Sequence, residues 1–236
     1  MKVIVHTLSK GSKFETPYYI AIGDQPGNAV IVTAGVHGNE PASVLAAGNA
    51  VADLRGGVLQ IARGTLIIVP LVNREAYRRK TRGYPGVPDL NRTFPRRPGD
   101  PARHPLSDAL FRLAREYRAA WYFDLHEANG LSRLNPKVLG QTLIANPGNS
   151  SIPAVERTIA KINRSISLPN RHYTMRLRGL PGSGRHAAHH LLQIRAVTVE
   201  TCWSLPLAHR ISYHANILRL LLGEAGILEA SAAVKP

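Results

Sequence analysis

Short apolar runs alternate along the chain with longer stretches in which apolar residues recur every three or four positions, the period of a helix with one buried face. The runs Val30 to Thr33, Leu66 to Val69, Trp121 to Leu125, Thr142 to Ala145 and Ala196 to Val199 predict strands. Between them, Pro41 to Leu54, Leu106 to Ala120, Ile152 to Ile166, Arg185 to Leu192 and Leu207 to Gly223 predict helices. This order predicts an α/β fold, a mostly parallel mixed sheet with helices on both faces and ligands beyond the carboxyl ends of its strands. With 236 residues, no internal repeat and no shift in composition, a single domain over residues 1–236 is expected.

Residues 73 to 105 interrupt the pattern. Gly83, Pro85, Gly86, Pro88, Pro95, Pro98, Gly99, Pro101 and Pro105 crowd this stretch, which also carries the basic run Arg78, Arg79, Lys80 and Arg82 beside Asp89, Asn91 and Phe94. A loop this long inside a compact domain reads as a structured binding loop. Pro181 to Gly184 marks a further turn before a helix, either an ordinary turn or one that offers backbone N–H groups to an anion.

Composition narrows the classes. The chain is 44% hydrophobic, with a mean hydropathy of −0.11, which excludes disorder. No apolar run approaches the ~20 residues of a membrane span. The start, MKVIVHTLSKGSK, turns polar too soon for a signal peptide, so a cytoplasmic location is expected. Cys202 is the single cysteine, which rules out an internal disulfide and a Cys-rich zinc module. Any metal must therefore be held by His and carboxylates. Thirty Lys and Arg against 15 Asp and Glu give a net charge of +15; most of these residues read as a solvated, Arg-biased surface, and the functional readings are a small acidic substrate or nucleic acid. No aromatic RNA-binding pattern, finger spacing or heptad array accompanies the basic run, so the small substrate is favoured.

Three places carry candidate chemistry. In Ala34-Gly35-Val36-His37-Gly38-Asn39-Glu40-Pro41, His37 and Glu40 stand three residues apart across a strand-to-helix turn, a spacing that lets both converge on one ion. In Phe123-Asp124-Leu125-His126-Glu127, His126 emerges at a carboxyl strand end on the same edge of the sheet. Two His and one Glu leave a fourth tetrahedral position open, the arrangement of a catalytic zinc. Asp124 shares a strand face with His126 and either orients its ring or is satisfied by backbone donors; Glu127 reads as a structural acid. In Val197-Thr198-Val199-Glu200-Thr201, Glu200 ends an apolar strand, as an acid paired with a cation or as a base.

The strings AGVHGNEP, TRGYPGVPDLNRTFP, FDLHEA and VTVETC, in that order, resemble the zinc carboxypeptidase superfamily, most closely its succinylglutamate desuccinylase/aspartoacylase branch and the related murein peptide amidases. The resemblance implies that His37, Glu40 and His126 bind one Zn2+ per chain and that Glu200 is the general base. It implies that Arg82 polarises the scissile carbonyl and that Asn91 and Arg92 grip a substrate carboxylate, roles that suit a rigid guanidinium fork and a directional amide. The stretch before Glu200 departs from the family pattern. It reads Arg176-Leu177-Arg178-Gly179-Leu180 where carboxypeptidase-type relatives carry a tyrosine, and Tyr173 is the nearest one. The short stretch after Glu200 holds one predicted helix, so the extra C-terminal β domain of aspartoacylase-like enzymes is not expected and a more open cleft follows.

The expected activity is that of a zinc-dependent amide hydrolase, a deacylase or carboxypeptidase-like peptidase acting near a free carboxylate. Its expected partner is a small anionic substrate such as an N-acyl amino acid or short peptide. The alternatives are a murein-peptide amidase and a non-catalytic basic binding module. Arg185 is a candidate substrate contact; His186 and His190, one helical turn apart beside His189, offer a second metal site, which the lack of a neighbouring carboxylate disfavours; His209 and His214 are expected to face solvent or pack at the edge of the last helix; Cys202 reads as a buried filler.

Overall fold

The computed structural model describes residues 1–84 and 86–228; Pro85 of the basic loop lies outside the described residues. Eight strands form one sheet: β1 (Lys2–Leu8), β2 (Thr16–Ile22), β3 (Gln25–Ala34), β4 (Arg63–Val69), β5 (Trp121–Ala128), β6 (Thr142–Ala145), β7 (Thr174–Leu177) and β8 (Arg195–Cys202). Their order across the sheet is β1-β2-β4-β3-β5-β8-β6-β7. The central strands β4, β3, β5 and β8 run parallel, as does the pair β6 and β7, while β1, β2 and the β6–β8 contact are antiparallel. This is the mixed, mostly parallel sheet that the alternating pattern predicts.

Because successive side chains leave a strand on opposite faces, the central strands feed two cores. Val30, Val32, Trp121, Phe123 and Leu125 pack against helices α1 (Pro41–Arg55), α4 (Ile152–Arg164) and α6 (Leu207–Glu224). Ile31, Ile67 and Tyr122 pack on the other face against α3 (Pro105–Glu116) and α5 (Gly184–Leu192). Covered on both sides, these strands read as continuous apolar runs, which is why the sequence shows them clearly. Among the described residues no helix is long and apolar enough to cross a membrane.

The structure adds elements that the apolar pattern does not predict. The hairpin of β1 and β2 sits at the sheet edge, where β1 is largely exposed and shows no clean alternation. Strand β7 is four residues long at the opposite edge. A short helix, α2 (Arg74–Arg79), lies inside the stretch read as loop, capped by Asn73, whose side chain accepts from the Ala76 N–H. Helix α3 stops at Glu116 instead of Ala120, and Arg118 takes a positive φ of 45° after it. Strands β5 and β8 run further than expected, so His126 and Glu200 lie within them as direct register partners.

Candidate functional site

At Ala34 strand β3 ends and the chain turns through Gly35 into α1. Gly35 has a φ of 66°, and a Cβ on Gly38 would stand 1.9 Å from the Ala76 carbonyl carbon, so this turn admits only glycine at both positions. Pro41 opens the helix and leaves Glu40 at its entrance. His37 Nδ1 lies 2.6 Å from Glu40 Oε1. From β5, His126 Nδ1 lies 2.8 Å from Glu40 Oε2 and 3.2 Å from His37 Nδ1. All three side chains are buried, with one donor atom from each within 4.8 Å of the others, the only such group of three among the described residues.

Each ring is held from behind by a carboxylate. His37 Nε2 is 3.0 Å from Asp89 Oδ1, and His126 Nε2 is 3.0 Å from Asp124 Oδ2. Asp124 also accepts from Thr33 Oγ1 at 2.7 Å. Such partners fix which ring nitrogen is free and raise its basicity. Of the two readings of Asp124, the one that orients His126 is the one the geometry displays. Burial raises the Glu40 carboxyl, yet His126 and His37 outweigh it and hold the group at about 2. Burial likewise lowers the His126 imidazole, but Asp124 and Glu40 push it well above its ordinary value.

Glu200 faces this cluster from β8 and lines the same cavity of about 200 Å3. Its Oε2 is buried without a hydrogen-bond partner. Burial pushes the Glu200 carboxyl up to about 7, with Glu40 and Asp124 adding to the rise and the two imidazoles opposing it. Arg82 enters from the basic loop, its Nε and Nη2 donating to Asp89 Oδ2 at 3.2 and 2.9 Å while Nη1 stands 3.8 Å from Glu40 Oε1. Asn91 Oδ1 accepts from the Gly184 N–H at 3.2 Å, and Arg92 Nη1 donates to the Asn91 carbonyl at 2.6 Å. The turn before α5 thus spends the Gly184 N–H on Asn91 instead of leaving it open to an anion. Arg82, Asn91 and Arg92 all line the cavity. The structure therefore brings together the seven residues to which the resemblance assigns roles, His37, Glu40, His126, Glu200, Arg82, Asn91 and Arg92.

Arg185 joins them. It is 2% exposed, and its three partners are neutral: Thr198 Oγ1 at 3.1 Å, Asn146 Oδ1, and the Arg178 carbonyl at 2.9 Å. Burial lowers this guanidinium to about 10. Trp203, half-exposed, also lines the cavity. Sequence reasoning passes over the hold of Asp89 on His37, because the two are 52 positions apart and no local spacing links them. It also passes over the partners of Glu127, whose Oε2 accepts from the Ala42 N–H at 2.8 Å and whose Oε1 accepts from Arg210.

Other candidates fall elsewhere. His186 and His189 are engaged by Asn146 and Asn149 through their Nδ1 atoms, and His190 packs against both rings. Tyr173 is buried edge-on against Tyr213, and no tyrosine is among the described residues lining the cavity. His214 is fully buried beside Thr201, not at a helix edge, because its face of α6 packs on the sheet. Cys202 is buried, as expected of a filler.

Residues 26–141 match the family model described as the succinylglutamate desuccinylase/aspartoacylase catalytic domain. No curated protein sequence matches this chain. Among solved structures, tripeptide-bound cell shape determinant Csd4 of Helicobacter pylori superposes with a TM-score of 0.73 at 20% identity, over 89% of this chain and 55% of that one. The chain thus spans about half the length of that protein. Product-bound ectoine utilization protein EutE (DoeB) of Ruegeria pomeroyi gives 0.70 at 20% identity, over 99% and 70% of the two chains. Carboxypeptidase A of Helicoverpa armigera gives 0.72 at 17% identity, again over 99% and 70%. The fold is therefore that of carboxypeptidase A, and the family model spans three of the four sequence motifs, AGVHGNEP, TRGYPGVPDLNRTFP and FDLHEA.

Proposed function

Residues 26–141 belong to the succinylglutamate desuccinylase/aspartoacylase catalytic family, and from that premise we propose that the chain is a zinc-dependent amide hydrolase acting beside a free carboxylate. Its substrate class is small and anionic, an N-acyl amino acid or a short peptide. The observation that carries this reading is the convergence of buried His37, Glu40 and His126 with Glu200 opposite them. A cell-wall peptide is the second candidate, favoured by the fold shared with the Helicobacter pylori protein whose structure holds a tripeptide.

The residues fit a zinc ion. Two imidazoles and one carboxylate are the donor set of an open zinc site, and Asp89 and Asp124 occupy the Nε2 atoms so that both Nδ1 atoms turn toward Glu40. When bound there, zinc supplies a Lewis acid that polarises a carbonyl and makes a water acidic near neutral pH. Glu200 takes a proton from the attacking water onto its unpartnered oxygen and returns it to the departing nitrogen. Arg82, beside Glu40, places positive charge where the carbonyl oxygen becomes anionic. Asn91 and Arg92 grip the substrate carboxylate, and Arg178 and Arg185 deepen the positive potential of the cavity.

Glu200→Gln tests the reading, because it keeps shape and hydrogen bonding but removes the base. The variant should fold and keep its zinc, while turnover of N-acyl amino acids or short peptides falls by ~10² to 10⁴. Retained turnover with a lowered melting temperature would make Glu200 a structural acid and overturn the mechanism. Absence of any turnover in the zinc-loaded wild type, with salt-dependent copurification of nucleic acid, would favour the basic binding module.

A further inference from the structure

Glu40 occupies the position before the first residue of α1, where a side-chain acceptor ordinarily satisfies a first-turn N–H, yet it makes no such bond. Its two oxygens are turned to His37 and His126 instead. The helix entrance is served from another element. Glu127 Oε2, on β5, accepts from the Ala42 N–H at 2.8 Å. Because Glu127 follows His126 in the strand, the two side chains leave the sheet on opposite faces. Glu127 Oε1 accepts from Arg210 Nη1 of α6, and Arg210 Nε donates to the Leu205 carbonyl at 3.0 Å. The Glu127 side chain is 0% exposed and that of Arg210 13%, so the carboxylate is desolvated and the guanidinium answers its charge.

We propose that Glu127, neutralised by Arg210, is a positioning residue that caps α1 in place of Glu40 and ties the helix entrance to β5. The cap bond runs from the neighbour of His126 to the second residue after Glu40, so it sets the distance between two elements that each deliver a donor. Ser43 Oγ also bonds the Glu40 carbonyl, at 2.8 Å, but that contact stays within the first turn of α1 and does not reach the sheet. Glu40 is thereby freed for the site, and the pairing with Arg210 keeps Glu127 from adding net negative charge beside it. The inference rests on the zinc site proposed above.

The test compares Glu127→Gln and Glu127→Ala, each in an Arg210→Met background that leaves no guanidinium unpaired. Gln keeps an acceptor for the Ala42 N–H and Ala does not. Zinc affinity by chelator competition should stay within about threefold of wild type for the Gln variant and weaken about 10- to 100-fold for the Ala variant. A merely structural role would lower both melting temperatures and leave the two affinities equal, and equal affinities overturn the proposal. If the Ala variant does not fold, Glu127→Ser in the same background replaces it, its hydroxyl too short to reach the Ala42 N–H. A wild type that binds no zinc overturns the zinc reading by itself. Amide exchange at Ala42 in the zinc-free protein then decides the cap: faster exchange in the Ala or Ser variant supports it, and unchanged exchange overturns it.

Discussion

The cavity along α4 and α6 encloses about 1030 Å3, and the one at the carboxyl ends of β3, β5 and β8 about 200 Å3. Charged side chains line both. In the larger, Lys161 pairs with Glu224 while remaining 53% exposed, so water solvates it as well as the partner does. In the smaller, the side chains of His37, Glu40 and His126 are 3%, 1% and 2% exposed. There the protein itself must answer each charge, and it does so for all but a few groups: Glu200 Oε2 has no partner and Arg185 has only neutral ones. Capacity for chemistry follows buried charge left incompletely paired, not the size of the hollow.

Charge removal should therefore act on activity in one cavity and only on stability in the other. Arg92→Ala should cost ~1.5 to 3 kcal/mol of transition-state binding, about 10- to 150-fold in kcat/KM, on substrates with a free carboxylate. Wild-type cleavage of an amidated analogue at the same rate as its acid would break that role. Arg185→Met should lower kcat/KM about 10-fold on substrates with a second anionic group, and with it the preference for acidic over neutral N-acyl amino acids. A lowered melting temperature with unchanged preference between acidic and neutral N-acyl amino acids would make Arg185 structural.

The smallest effect is expected at Glu224. Burial raises its carboxyl, but the hydrogen bonds from Arg157 and Lys161 outweigh this and hold it below its ordinary value. A carboxyl lowered in the folded state stabilises the fold at neutral pH and loses that contribution as the pH falls through the folded-state value. Glu224→Gln should thus lower the melting temperature by ~2 to 4 °C at pH 7, about 1 kcal/mol or less, and the difference should vanish in acid. A change in kcat/KM in this variant would contradict the contrast between the two cavities.

How much of this is legible in the sequence depends on how local each feature is. The central strands are buried on both faces and appear as apolar runs, and the His37–Glu40 turn is written in consecutive residues with its glycines and proline. The β1–β2 hairpin escapes notice because an exposed edge imposes no strict alternation. Helix α2 hides in a stretch whose prolines and glycines read as loop, since its stop signal is the positive φ of Lys80, a residue that does not announce it. The pairing of Asp89 with His37 and of Glu127 with Ala42 joins positions far apart in the chain, and only the folded register makes them neighbours. His214 reads as a helix-edge residue because its burial is set by how α6 lies on the sheet.

The most direct measurement is the zinc content per chain of wild type and His126→Ala, loaded with zinc, dialysed and analysed side by side with their melting temperatures. His37, Glu40 and His126 acting as one buried donor set predict one zinc per wild-type chain and only a small fraction of that in a folded His126→Ala. A full zinc complement in the variant would contradict the metal site, and with it the hydrolase built around it.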